Sequence, residues 1–130
     1  MTLDYMGVSV SSISFTPDRN CILAGVMGGM VRLMDKSSGK LLASYKGHQN
    51  TEYKLDCRVL QSIEHVATGS EDGFVYVYSL LDSHIVAKLE HPSKVIHSLT
   101  AHPKKERFIT AAGQMIYLWV ANDDTEILGE

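Results

Sequence analysis

Three short segments of this chain are variants of one another at nearly even spacing, and that repetition constrains the fold more than any single residue does. Met30-Val31-Arg32-Leu33-Met34-Asp35 returns as Phe74-Val75-Tyr76-Val77-Tyr78-Ser79, and again as Met115-Ile116-Tyr117-Leu118-Trp119-Val120, at offsets of 44 and 41 residues. In each copy aliphatic residues alternate with bulkier ones at period two, the pattern of a strand with two different faces. Pro17 and Pro103 stand 86 residues apart, two periods of the same length. A period of 40–45 residues built from short strands is that of β-propeller blades, four-stranded sheets stacked face to face.

Turn chemistry divides the chain into the same four strands per unit. The first unit, residues 8–45, has strands up to Phe15, over Cys21 to Gly25, over Met30 to Met34 and over Lys40 to Tyr45. Asp35-Lys36-Ser37-Ser38-Gly39 separates the last two, because Asp and Ser hydrogen-bond locally and Gly takes positive φ. The second unit, 53–89, repeats this over Tyr53 to Leu60, His65 to Ser70, Phe74 to Ser79 and His84 to Leu89. The third, 95–120, has strands over Val95 to Ala101, Arg107 to Ala112 and Met115 to Val120, then runs into an acidic tail, 121–130, with no clear fourth strand. Residues 2–6 match the outer strand of a further unit. No window of helical length keeps an apolar stripe, so the expected fold is all-β. Residues 1–120 would form about three antiparallel blades in an open arc, since propellers close with roughly four to eight.

Composition limits the chemistry. With 45% hydrophobic residues in 130, the chain can bury a core. A formal charge of -3 leaves no broad basic footprint for a polyphosphate. Lys104, Lys105 and Arg107 fall in a predicted turn and read as a solvated loop. Cys21 and Cys57 are too few for a disulfide framework and sit in strand-like runs, as buried free thiols of a reducing compartment do. There is no apolar stretch of membrane-spanning length and no signal-peptide pattern, so the chain reads as soluble and intracellular. His91, His97 and His102 lie on different segments without ligands at metal spacing, and Gly25 to Gly29 lacks the Lys-Ser/Thr and helix of a phosphate loop. No metal or cofactor is expected.

The densest chemistry is in the second unit. His48 follows Gly47, Thr68 ends a strand, Asp72 opens an Asp-Gly turn, and Tyr78 closes the third strand. A Thr-His-Asp set invites comparison with a hydrolase triad, but a triad is defined by geometry, and no oxyanion donors lie nearby in sequence. The chain is expected to have no enzymatic activity. The first unit has Gly28 and Ala24 where the second has Asp72 and Thr68. The third has Gly113 at the Asp position, although His91 and Trp119 remain. These two units are expected to be held by aliphatic packing more than by polar ties.

These positions resemble the WD-repeat family. The resemblance implies a hydrogen-bonded chain in which Asp72 orients His48, His48 reaches Thr68, and Thr68 meets the ring of Tyr78. A narrower resemblance is carried by Val31 to Leu42, Tyr45-Lys46-Gly47-His48, Glu52 to Cys57, Gly69-Ser70-Glu71-Asp72-Gly73 and Ser98 to Pro103. These are similar to the C-terminal blades of the mitogen-activated protein kinase organiser family. That resemblance implies a non-enzymatic scaffold for a kinase cascade, associated also with the spliceosome, in cytoplasm and nucleus. An RNA-contacting subunit of a splicing complex is the alternative, against which the net charge argues. Loops on a rigid frame carry recognition. On one rim Gln49, Tyr53, Lys54, Glu71 and Lys94 supply an aromatic and both charges, a candidate protein-binding patch, unless Tyr53 simply opens a buried strand. An open arc also leaves two sheet faces uncovered, which predicts either head-to-tail self-association, with strand 2–6 of one copy completing the third sheet of another, or aggregation.

Overall fold

Each turn predicted from Gly, Asp, Ser or Pro returns the chain antiparallel to itself, and the outcome is three separate meanders. The structure, a computed structural model, describes residues 7–92, 95–120 and 127–128. The first sheet has β1 (Val10–Phe15), β2 (Cys21–Val26), β3 (Met30–Asp35) and β4 (Leu41–Lys46). The second has β5 (Cys57–Val59), β6 (His65–Thr68), β7 (Phe74–Ser79) and β8 (Ile85–Glu90). The third has β9 (Ile96–Ala101), β10 (Arg107–Ala112), β11 (Met115–Val120) and β12 (Ile127–Leu128). In all three, spatial order follows chain order and every pairing is antiparallel.

Two expectations are corrected here. The third sheet is four-stranded, because β12 pairs with β11 in the register Leu118↔Leu128 and Trp119↔Ile127. The acidic composition of the tail hid the two apolar residues that make this short edge. Second, β5 is only three residues long, and Tyr53 lies in a loop with 49% of its surface exposed. The segment before β5 hydrogen-bonds to the neighbouring turn instead of a strand. The expected strand over 2–6 lies outside the described residues.

Alternation at period two gives each sheet two apolar faces, and the sheets stack through them. Leu23, Val31 and Leu33 of the first sheet meet Cys57, Val59, Val66, Tyr76 and Tyr78 of the second. The opposite face of the second, with Ala67, Val75 and Val77, meets Leu99, Phe108, Tyr117 and Trp119 of the third. Fully burying a side chain of this size contributes about 1.5–3 kcal/mol, so these two interfaces form the core. Gly69 permits the second stack: a Cβ there would collide with the Ile96 carbonyl oxygen, so any side chain would push the sheets apart.

Polar ties cross both interfaces. The Tyr45 hydroxyl donates to the Leu80 carbonyl at 2.8 Å. The backbone N–H of Leu99 donates to Asp56 at 3.1 Å, and the Glu106 carboxylate accepts the backbone N–H and the hydroxyl of Ser62, each at 2.7 Å. The result is a partial β-propeller, an open arc whose inner strands are β1, β5 and β9.

Candidate functional site

The antiparallel register places matching residues at matching points of the sheets. Val66 pairs with Tyr78 and Thr68 with Tyr76, as Phe108 pairs with Trp119 and Thr110 with Tyr117. His48 and His91 each precede the inner strand of their sheet and turn inward. Both are buried, at 5% and 4% exposure.

In the second sheet the four predicted residues gather, but their wiring differs from what the resemblance implied. His48 Nδ1 lies 3.1 Å from the Tyr78 hydroxyl, a direct contact without Thr68 between them. Thr68 donates instead to the Gly69 carbonyl at 3.0 Å. Asp72 accepts the Tyr76 hydroxyl at 2.5 Å and the Phe74 N–H at 3.2 Å, and makes no hydrogen bond to His48. The physical reason is reach: a phenol oxygen stands farther from its backbone than an indole N–H, so it occupies the place a threonine hydroxyl would fill. His48 Nε2 is left buried without a partner. Burial holds the His48 imidazole down at about pKa 4, against a smaller upward pull from Asp72, so it is neutral near pH 7. Thr68 has no base to activate it, and the set does not form a nucleophile–base pair.

The third sheet, expected to be held by aliphatic packing more than by polar ties, carries a polar network. Trp119 Nε1 donates to Thr110 Oγ1 at 3.1 Å, and His91 Nε2 lies 2.8 Å from the same oxygen. His91 Nδ1 lies 3.1 Å from the Leu89 carbonyl, which can only accept, so the neutral ring carries its proton on Nδ1 and Thr110 donates to Nε2. Thr110 escaped notice because the turn before Trp119 is one residue shorter than that before Tyr78, which shifts its offset from the aromatic residue. The first sheet has Ala24 at this position and no equivalent tie. Its Gly28 turns with φ +102°, a conformation that L side chains rarely adopt.

On the rim, one carboxylate organises a loop. Glu71 accepts the backbone N–H groups of Thr51, Glu52 and Tyr53 at 2.8–3.0 Å, and the Thr51 hydroxyl at 3.0 Å. Burial opposes its charge, but these donors outweigh it and hold the carboxyl below its ordinary range. Its own N–H donates to the Gln49 carbonyl, and the Ser70 hydroxyl accepts the Gln49 N–H at 2.9 Å. The loop therefore has a fixed shape, with Gln49, Tyr53 and Lys54 exposed. Glu71 is used within the chain as the anchor of this patch. Ser70 and Thr51, which the sequence did not mark as site residues, complete the anchor. Lys94 lies outside the described residues.

Residues 39–79, which span the Asp72–Tyr76 pair and the His48–Tyr78 contact, match the family profile described as WD domain, G-beta repeat. The chain carries a WD repeat. It is similar to WD repeat domain-containing protein 83 of Homo sapiens, 38% identical over 89% of this chain and 37% of that one. It is also similar to the protein of that name from Danio rerio, 36% identical over 95% of this chain and 39% of that one. It thus spans under two-fifths of the length of these curated relatives. Among solved structures, the one titled "Structure of U3-55K" superposes with a TM-score of 0.81 over all of this chain and 42% of that one, at 12% identity. That likeness shows the fold, a stack of antiparallel four-stranded sheets. The WD repeat places its turn at Glu71–Gly73 beside the Gln49–Lys54 loop, so the rim patch belongs to the repeat itself.

Proposed function

We propose that this chain is a non-enzymatic scaffold that holds protein partners, of the kinase-cascade organiser kind, with a role also in the spliceosome and a place in both cytoplasm and nucleus. The observation that carries the reading is the clamped loop. A half-exposed aromatic on a loop already fixed by four hydrogen bonds loses little further freedom on binding, which is how a small patch reaches useful affinity. The residue resemblance over Val31 to Pro103 supports the choice of partner class, and the similarity to WD repeat domain-containing protein 83 supports a repeat scaffold.

The test is photo-crosslinking from position 53 against position 81, which is exposed in the turn between β7 and β8, at the other end of the strands from that loop. Kinase-cascade or spliceosome proteins should crosslink from position 53 and not from position 81. Equal capture from both positions, or capture from neither, would contradict the reading.

A further inference from the structure

The opposite end of the inner strands carries a second candidate surface. There β1, β5 and β9 run out into their turns, and residues of all three sheets line a cavity of about 320 Å³, among them Phe15, Pro17, Arg58, His102 and Pro103. Phe15 is 60% exposed at this mouth, a large apolar surface beside two prolines. Arg58 uses one N–H to reach the Cys57 carbonyl at 2.8 Å and makes no ion pair among the described residues, so most of its five donors have no protein acceptor. His102 Nδ1 accepts the backbone N–H groups of Lys104 and Lys105 at 2.9 and 3.1 Å, which fixes the neutral ring's proton on Nε2, as a donor. Lys104 and Lys105 are exposed in the same turn.

Of the carboxylates of these turns, Asp18 and Glu106 are already engaged, while Glu64, exposed in the turn between β5 and β6, does not line this cavity. Asp18 accepts the Thr16 hydroxyl at 2.6 Å and the Asn20 N–H at 3.0 Å, and Glu106 accepts the two donors of Ser62 with His65 3.3 Å away. On a chain of net charge -3, this mouth therefore gathers unpaired donors and positive charge beside the apolar surface of Phe15, Pro17 and Pro103.

We infer that the Arg58–His102 mouth is a docking site for an acidic peptide segment of a partner protein, with carboxylates on Arg58 and His102 and an apolar side chain against Phe15 and the prolines. The guanidinium fork matches a carboxylate, and a short basic cluster of Arg58, Lys104 and Lys105 beside the exposed Phe15 ring favours a peptide over a nucleic-acid backbone, which needs a long basic track. The inference rests on the reading of the chain as a scaffold, but uses a surface at the other end of the strands from Tyr53.

The experiment is fluorescence anisotropy with a short fluorescein-labelled peptide of alternating Glu and Leu. The same peptide with Gln for Glu, and a labelled oligouridine, serve as comparisons. The full chain should prefer the Glu peptide, with affinity falling as salt rises. Arg58→Gln should weaken binding roughly tenfold with an unchanged circular dichroism spectrum. A Lys104→Gln, Lys105→Gln double variant, which alters only exposed side chains, should flatten the salt dependence, while Tyr53→Ala should leave binding unchanged. Equal binding of the Glu and Gln peptides, tighter binding of oligouridine, or full affinity in Arg58→Gln would overturn the inference. So would loss of binding in Tyr53→Ala, whereas failure of position 53 to crosslink partners would count only against the rim.

Discussion

His91 Nε2 and Thr110 Oγ1 lie 2.8 Å apart in the buried interior of the third sheet, and the Trp119 indole N–H completes the bond network on the same oxygen. Thr110→Val keeps the shape of the side chain while stranding two buried polar groups. It should cost about 2–3 kcal/mol in urea titration. Thr68→Val removes one bond, to a backbone carbonyl, and should cost about 1 kcal/mol. Equal costs would show that the third-sheet relay does not contribute.

Asp72 and Tyr76 form a pair that can be taken apart cleanly. Asp72→Ala leaves the Tyr76 hydroxyl without its acceptor and should cost about 1–3 kcal/mol. Tyr76→Phe in that background removes the stranded group, so the double variant should be no less stable than Asp72→Ala alone. If the two losses simply add, the carboxylate is engaged elsewhere.

The repeat itself was legible because a strand with two buried faces writes its alternation into the sequence. The edges of eight of the strands fall within a residue of where Gly, Asp and Pro signalled them. Wiring was not legible. Which hydroxyl a buried histidine reaches depends on side-chain length across two strands, so Tyr78 displaced Thr68, and a shortened turn concealed Thr110. Composition misled twice: the apolar start at Tyr53 looked like strand, and Ile127–Leu128 were lost in an acidic tail. The anchoring role of Glu71 needed the loop's backbone N–H groups to converge, which no residue pattern encodes.

His48 gives the fold a pH dependence with a definite sign. Its folded pKa is about 4 against an ordinary 6.5, so the unfolded chain takes up its proton first as pH falls. The associated stability is fully present above pH 6.5 and is lost on the way down to pH 4, by at most about 3 kcal/mol. His91, also held down by burial, acts in the same direction. Asp18 and Asp35, held low by the Thr16 and Ser38 hydroxyls, act below that window. His48→Gln should flatten the pH dependence of the urea midpoint between pH 6.5 and 4. An unchanged slope would place the titration elsewhere.

Stacking should also govern association. Ile13 and Phe15 occupy the register positions of Cys57 and Val59, yet are 67% and 60% exposed where the latter are buried. Ile109 and Ile116, at the positions of Ala67 and Val75, are 40% and 57% exposed. These two faces repeat the halves of an interface the chain already makes twice, so we propose that copies of it associate head to tail through them. With β12 on the edge of β11, strand exchange is no longer needed for this contact. Light scattering should give a mass above the monomer that falls with Phe15→Asp; a monomer unaffected by the substitution would exclude it.

The most direct test couples Glu71 to Tyr53. Glu71 is proposed to act on partners only by holding the loop that bears Tyr53. Affinity for a purified partner captured from position 53 should therefore be measured for Tyr53→Ala, Glu71→Gln and the double variant, beside amide exchange at Thr51, Glu52 and Tyr53. Exchange should be faster in Glu71→Gln, binding weaker in each single variant, and the double variant little worse than Tyr53→Ala alone. Unaltered binding in Tyr53→Ala, or losses that add in full, would contradict this coupling.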